Sequence, residues 1–168
     1  NDWFLRFAPE TYRAQRSQRA IQVAQAFEAT SYLREISVDV LRITPGILSI
    51  LRMVTSPPLA RDRLMGLAYV ERSLLSVLEG SNDKAARLPT RMAPTELDAN
   101  LRKICDVVGE MLDRELFPWL SENREPESIE LNRATAVVAD RLAGTLADPI
   151  IRNAQEQRQL AALRGWLV

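Results

Sequence analysis

The chain has 168 residues, 46% hydrophobic and 26% charged, which is long enough to bury a substantial core and too mixed in composition to be disordered throughout. Its 22 cations and 22 anions cancel, no apolar run approaches the roughly 20 residues of a membrane span, and the lone Cys105 can form no internal disulfide, which points to a cytoplasmic protein. Histidine is absent, which excludes histidine-ligated zinc, Ser-His-Asp and Cys-His triads and histidine general bases, and leaves carboxylates, Arg, Lys and hydroxyls for any chemistry.

Charge is unevenly spread. Residues 1–92 hold 13 basic and 9 acidic side chains, and residues 93–168 hold 9 and 13, so a basic front half faces an acidic back half. The front mildly favours an anionic partner. No secretion signal is visible. The chain opens on Asn1 without an initiator Met and stops inside the apolar run Trp166-Leu167-Val168, so it is expected to be a piece of a longer protein.

In chain order, helices are predicted at about 2–7 and 10–28, parted at Ala8-Pro9; at 32–43; at 45–54 behind Thr44-Pro45; at 58–68 behind Ser56-Pro57; and at 71–79. They continue at 95–117, closed by Pro118, at 128–147, and at 149–164 behind Asp148-Pro149. In each of the four dipeptides a capping or boundary residue precedes a proline suited to a first helical turn. Sustained two-residue alternation is absent, so no strand is predicted and the fold class is all-α, a multi-helix bundle. One helical domain over 1–168 is expected, with a subdivision into a basic part, 1–80, and a long-helix bundle, 95–168.

The second predicted helix carries Arg13, Arg16 and Arg19 at i, i+3 and i+6, a basic strip suited either to phosphates or to structural pairing with acids such as Glu10. The stretch "LMGLAYVERSLLSVLEG", 64–80, resembles the helix-turn-helix of phage-repressor-like proteins. Counted from Val70, Leu64 (−6), Ala68 (−2), Ser73 (+3), Leu75 (+5), Ser76 (+6) and Glu79 (+9) fit that pattern. The resemblance would place helix 71–79 in the major groove, with Arg72, Ser73 and Ser76 reaching base edges or phosphates and Arg61 and Arg63 beside them. Tyr69 stands where the pattern usually has Gly, at a left-handed turn position. The alternative is an ordinary corner of a bundle.

"EGSNDKAARLPTRMAP", 79–94, is the one candidate for a long mobile connection. Leu97, Leu101, Ile104, Val108 and Met111 then form the clearest apolar stripe, opened by Thr95 and Asp98 as a capping pair. Asp106, Glu110 and Asp113 stack three carboxylates on the opposite side, a face that is read as solvated although it has the oxygen ligands for Mg²⁺. Leu131, Ala134, Val138 and Leu142 repeat the stripe. In the last predicted helix Arg152, Gln155, Glu156 and Gln159 form a polar face, while Asn153 and Gln157 fall on or beside the apolar side, where amides need partners: a neighbouring helix, or a ligand across an interface.

Many DNA-cutting enzymes hold Mg²⁺ with an acidic residue two positions before a Lys. The two lysines here, Lys84 and Lys103, are preceded at that spacing by Asn82 and Leu101, so the motif is absent.

Four blocks, "NDWFLRFAPETYR" (1–13), "LRMVTSPPLARDRLMGLAYV" (51–70), "KICDVVGEMLDRELFPWL" (103–120) and "ATAVVADRLAGTLADPIIRNAQEQRQL" (134–160), together resemble the N-terminal half of the XamI-family restriction endonucleases. The third and fourth are the most specific, because "FPWL" and "DPIIRNAQEQRQL" do not follow from general helix grammar. The resemblance implies a Mg²⁺-dependent, site-specific double-strand DNA endonuclease whose acidic-x-Lys core lies downstream. It gives this segment a helical role in gripping or recognising duplex DNA, without catalytic or metal-binding residues of its own. It also implies a homodimer and a DNA methyltransferase as genetic partner, with no membrane association. Two rival readings are a non-enzymatic helix-turn-helix regulator and a helical dimerisation module. Contact candidates are Arg13, Arg16, Arg61, Arg63, Arg72, Ser73, Ser76, Arg152, Asn153 and Gln157.

Overall fold

The computed structural model describes residues 1–81 and 83–167. Among these residues there are seven α-helices and no strand: α1 (Asp2–Ala29), α2 (Val38–Ile43), α3 (Leu48–Leu51), α4 (Arg61–Ala68), α5 (Arg72–Glu79), α6 (Pro94–Met111) and α7 (Ser128–Trp166). The all-α reading is therefore correct.

The two long helices pair antiparallel. The Arg158 guanidinium lies 4.6 Å from the ring centroid of Trp3, while Tyr12 Oη donates to the Asp140 carbonyl at 3.1 Å and Arg16 meets the Asp140 carboxylate at 3.3 Å, so rising numbers on α1 meet falling numbers on α7. Close approach follows from small residues on α7. Ala134, Ala139, Ala143 and Ala147 are buried, and a Cβ placed on Gly144 would stand 3.3 Å from Tyr12 Oη.

This pairing corrects two predicted helix breaks. Pro9 and Pro149 both lie inside continuous helices, although an interior proline removes a backbone bond and costs about 3 kcal/mol or more. The α1–α7 contacts lie on both sides of Pro9, Trp3 before it and Tyr12 after it, and hold the helix through the lesion.

Only the last turns of α1 and the first half of α7 contribute buried residues to the core. Val23, Ala26 and Phe27 of α1 join Ala134, Val138, Ala139 and Leu142 of α7 and the apolar residues of α2–α6 in one cluster, whereas neither 1–22 nor 148–167 holds a buried residue. The start of α1 around Trp3 and the end of α7 around Arg158 thus form a two-helix arm beyond that cluster.

Several predicted boundaries shift. The helix expected at 32–43 begins only at Val38, capped by the Ser37 hydroxyl accepting from Val40 N–H, because Ser31, Tyr32 and Leu33 adopt left-handed φ of 49°, 60° and 68°. Instead of running to 117, α6 ends at Met111, whose carbonyl accepts from Ser56 N–H at 2.9 Å while Asp113 N–H donates to Val54 at 3.1 Å. The Thr95/Asp98 capping pair does not form: Ala93 is the N-cap, and Asp98 is ion-paired to Arg42. Ser56-Pro57 does not open a helix either, since α4 starts at Arg61. The expected mobile connection is anchored by Arg87 N–H on Val77 O (3.0 Å) and by Leu88 and Met92 packed on the core; Asn82 lies outside the described residues.

Candidate nucleic-acid interface

α4 and α5 are joined by Tyr69-Val70-Glu71, and Tyr69 has φ 54° and ψ 47°. The left-handed turn therefore forms without the expected glycine. Tyr69 is 85% exposed, so its ring meets no wall that would oppose this conformation. Val70, Leu74, Leu75 and Leu78 are buried, which turns Arg72, Ser73 and Ser76 outward on one face, as the pattern requires. Arg72 is ion-paired to Asp62 of α4 at 2.6 Å, with both side chains about two thirds exposed, and Ser73 Oγ donates to Glu71 at 3.5 Å. The face thus offers one Arg and two hydroxyls beside two carboxylates. Arg63 is exposed on α4.

Arg61 points elsewhere, toward a cluster that sequence reasoning did not find. Glu79, at the end of α5, has only 2% of its side chain exposed and accepts from Arg52 Nε and Nη2 at 3.0 and 2.7 Å and from Arg61 Nη2 at 3.4 Å. Arg52 Nη1 also donates to the Leu59 carbonyl at 2.8 Å. A bidentate, largely buried pair is the strong form of such an interaction. The signal was available: a lone Arg inside the apolar run "LSILRMV" needs a buried counter-charge. α5 then stops at Gly80, whose φ of 73° suits glycine alone, with Ala86 N 2.6 Å from where a Cβ would stand.

The remaining candidates lie on α1 and α7. Arg13 is exposed, Arg16 is held by Asp140, and Arg19 donates to the Gln22 and Gln18 side-chain carbonyls at 3.0 and 3.3 Å. The helical strip exists, but acids and amides take two of its three members. Arg152, Asn153 and Gln157 are all exposed on the arm. Of the two partners expected for the amides of Asn153 and Gln157, a neighbouring helix is not in place, since both side chains are exposed and neither hydrogen-bonds another helix among the described residues. Sequence reading also missed Arg158, whose guanidinium lies over the ring of Trp3, itself stacked on Phe7 at 4.9 Å.

Asp106 and Glu110 are exposed, Asp113 accepts from Leu116 N–H at 3.1 Å as a turn cap, and among the described residues no three acidic or thiol ligands converge. Burial, then the charge of Asp106, pushes the Cys105 thiol up to about 11, leaving it protonated and unreactive. No helix among the described residues is long and apolar enough to cross a membrane.

Comparison with known proteins agrees with the resemblance read from the four blocks. The XamI restriction endonuclease family matches residues 31–168. The chain is 45% identical, over its whole length, to the type II restriction enzyme SalI of Streptomyces albus G, and spans 52% of that protein's length. No solved structure matches the chain.

Proposed function

From the premise that the chain belongs to the XamI restriction endonuclease family, we propose that it is the helical, DNA-gripping part of a type II site-specific restriction endonuclease. The observation that carries this reading is the α4–α5 corner, where a left-handed turn and a buried leucine face present Arg72, Ser73 and Ser76 outward together. In such a corner the second helix enters the major groove and the first crosses the backbone. Arg63 on α4 and Arg13, Arg16 and Arg152 on the long helices supply further phosphate contacts, and the exposed amides Asn153 and Gln157 are free to bond a groove edge.

Hydrolysis is assigned to the rest of the enzyme. The residues present do not fit Mg²⁺, since neither Lys84 nor Lys103 follows an acid at the required spacing and no ligand cluster forms among the described residues. Mg²⁺, the phosphodiester chemistry and a partner methyltransferase therefore belong to the proposed whole enzyme and to its genetic context. We place that enzyme in the cytoplasm with the DNA it cuts.

The test is a titration of the 168-residue chain into labelled duplex at about 50 and 200 mM salt, a range over which several phosphate contacts cost orders of magnitude in affinity. Binding that falls steeply with salt is expected. Absence of binding at both concentrations overturns the gripping role.

A second reading, dimerisation through the arm, is favoured by Leu160, Leu163, Trp166 and Leu167, which are 46%, 61%, 90% and 88% exposed. A two-fold dimer suits a palindromic site. Sedimentation of the chain alone, with Leu163→Glu as comparison, decides it: a dimer that the variant abolishes supports the reading, and a wild-type monomer removes it.

A further inference from the structure

Where the ends of α4 and α5 meet α1 and α7 lies a cavity of about 500 Å³, a size that holds a small ligand. Arg19 and Gln22 of α1, Arg52, Arg61, Glu79 and Thr145 of α7 stand in its wall. Three arginines and one glutamate therefore line one cavity, and the glutamate's carboxylate is already committed. Glu79 gives both oxygens to Arg52 and only a 3.4 Å contact to Arg61. Arg19 has no carboxylate partner among the described residues; its Nη atoms donate only to the neutral amides of Gln22 and Gln18, and its buried Nε has no acceptor. A buried guanidinium N–H without an acceptor is costly and calls for an explanation.

The donors suit one chemistry. A guanidinium pairs strongly with an oxyanion, and arginines drawn from two different elements, α1 and α4, suit the spread oxygens of a phosphate better than the two coplanar oxygens of a carboxylate. Glu79 serves as a positioning residue: it fixes Arg52 and restrains Arg61 while leaving the cavity with excess positive charge. We propose that this cavity is a phosphate-binding site, filled either by the phosphate of a mononucleotide or by a backbone phosphate of duplex DNA. With a duplex as the source, the proposal rests on the DNA-gripping reading; with a mononucleotide it stands apart from it.

The experiment follows the arginine Nε–H resonances of the whole chain by NMR during titration with 5′-deoxyadenosine monophosphate, with unphosphorylated deoxyadenosine, and with a duplex of about two helical turns. Signals of Arg19 and Arg61 are expected to move with the nucleotide or the duplex and to stay in place with the nucleoside. Arg19→Gln and Arg61→Gln should each weaken that binding roughly tenfold, the value of one charged hydrogen-bonded contact, with Arg133→Gln unchanged as control. Movement with the nucleotide identifies a free nucleotide as source, and movement with the duplex alone identifies the backbone. Equal responses to nucleoside and nucleotide, or no response to either phosphate source, overturn the site. Duplex binding that depends on Arg72 but leaves Arg19 and Arg61 unmoved also overturns it while the DNA reading survives; nucleotide binding in a chain that ignores duplex does the reverse. The wild-type spectra give this answer even if a variant folds poorly.

Discussion

The indole N–H of Trp119 donates to the backbone carbonyl of Tyr32 at 2.9 Å, across 87 positions of sequence. It ties a fully buried aromatic cluster to a left-handed turn: Trp119 packs edge-on against Phe117, Phe117 against Phe27 at the end of α1, and Ser31, Tyr32 and Leu33 follow with positive φ. Each non-glycine residue in that region costs on the order of 1–2 kcal/mol. Thr30 offsets part of this, its hydroxyl accepting from Leu33 N–H at 3.0 Å and its carbonyl from Glu35 N–H at 2.9 Å. Trp119→Phe removes the donor and leaves a void, and is expected to cost about 3 kcal/mol in urea unfolding. A loss below about 1 kcal/mol would mean that the turn holds without the indole.

Glu79 is the buried charge on which two arginines depend. Glu79→Ala leaves Arg52, only 13% exposed, without its counter-ion, and should destabilise the fold by about 3–5 kcal/mol. The double variant Arg52→Met, Glu79→Leu removes both charges and should recover most of that loss. If the double variant is as unstable as the single one, shape rather than unpaired charge governs this site.

Tyr69 holds a left-handed conformation that glycine adopts without strain. Since its ring is 85% exposed, Tyr69→Gly loses little packing and should raise stability by roughly 0.5–1 kcal/mol, the relief of strain outweighing glycine's extra entropy in the unfolded chain. Tyr69→Ile, branched at Cβ, should lower it. Thermal midpoints of the three proteins check the order Gly, Tyr, Ile.

What the sequence makes legible here is local. The α6 stripe reads correctly, with Leu97, Leu101, Ile104 and Val108 all buried, because one helix face against one core is a periodic signal. The outward placement of Arg72, Ser73 and Ser76 is legible for the same reason. Pro9 and Pro149 mislead because the force that carries the helices past them is contact between α1 and α7, over a hundred residues apart. The end of α6 at Met111 likewise depends on backbone pairing with Val54 and Ser56, and the buried Arg52–Glu79 pair joins residues 27 apart. Asn153 and Gln157 show the converse, since a helical wheel supplies a face but not the neighbour that covers it.

Stability should respond to acid through the start of α7. Hydrogen bonds from Arg124, then from Glu127 N–H at 2.9 Å, hold the Glu130 carboxyl down at about 2, while the same pairing raises Arg124. The folded value lies below the unfolded one of about 4.3, so the stabilisation is complete above the latter and is lost as pH falls toward about 2. Wild type should therefore melt above Glu130→Gln near neutrality, and the gap should close through that acid window. A gap that stays constant with pH would assign the difference to capping geometry alone.

Arg72 and Asp62 give the sharpest test of the DNA reading. Their exposed ion pair at 2.6 Å occupies the guanidinium that would meet a phosphate or a base, and sets a carboxylate beside it. Binding to duplex must break this pair, which in water costs little. Asp62→Asn frees Arg72 and removes a like charge facing the phosphates, so it should tighten duplex binding several-fold. Arg72→Ala should weaken binding roughly tenfold and reduce the salt slope by about one contact. Arg133→Ala, exposed at the start of α7, should change neither. A purely structural corner predicts the opposite for Asp62→Asn, a small loss of stability and no gain in affinity, so the sign of that one change separates a DNA-reading corner from a bundle corner.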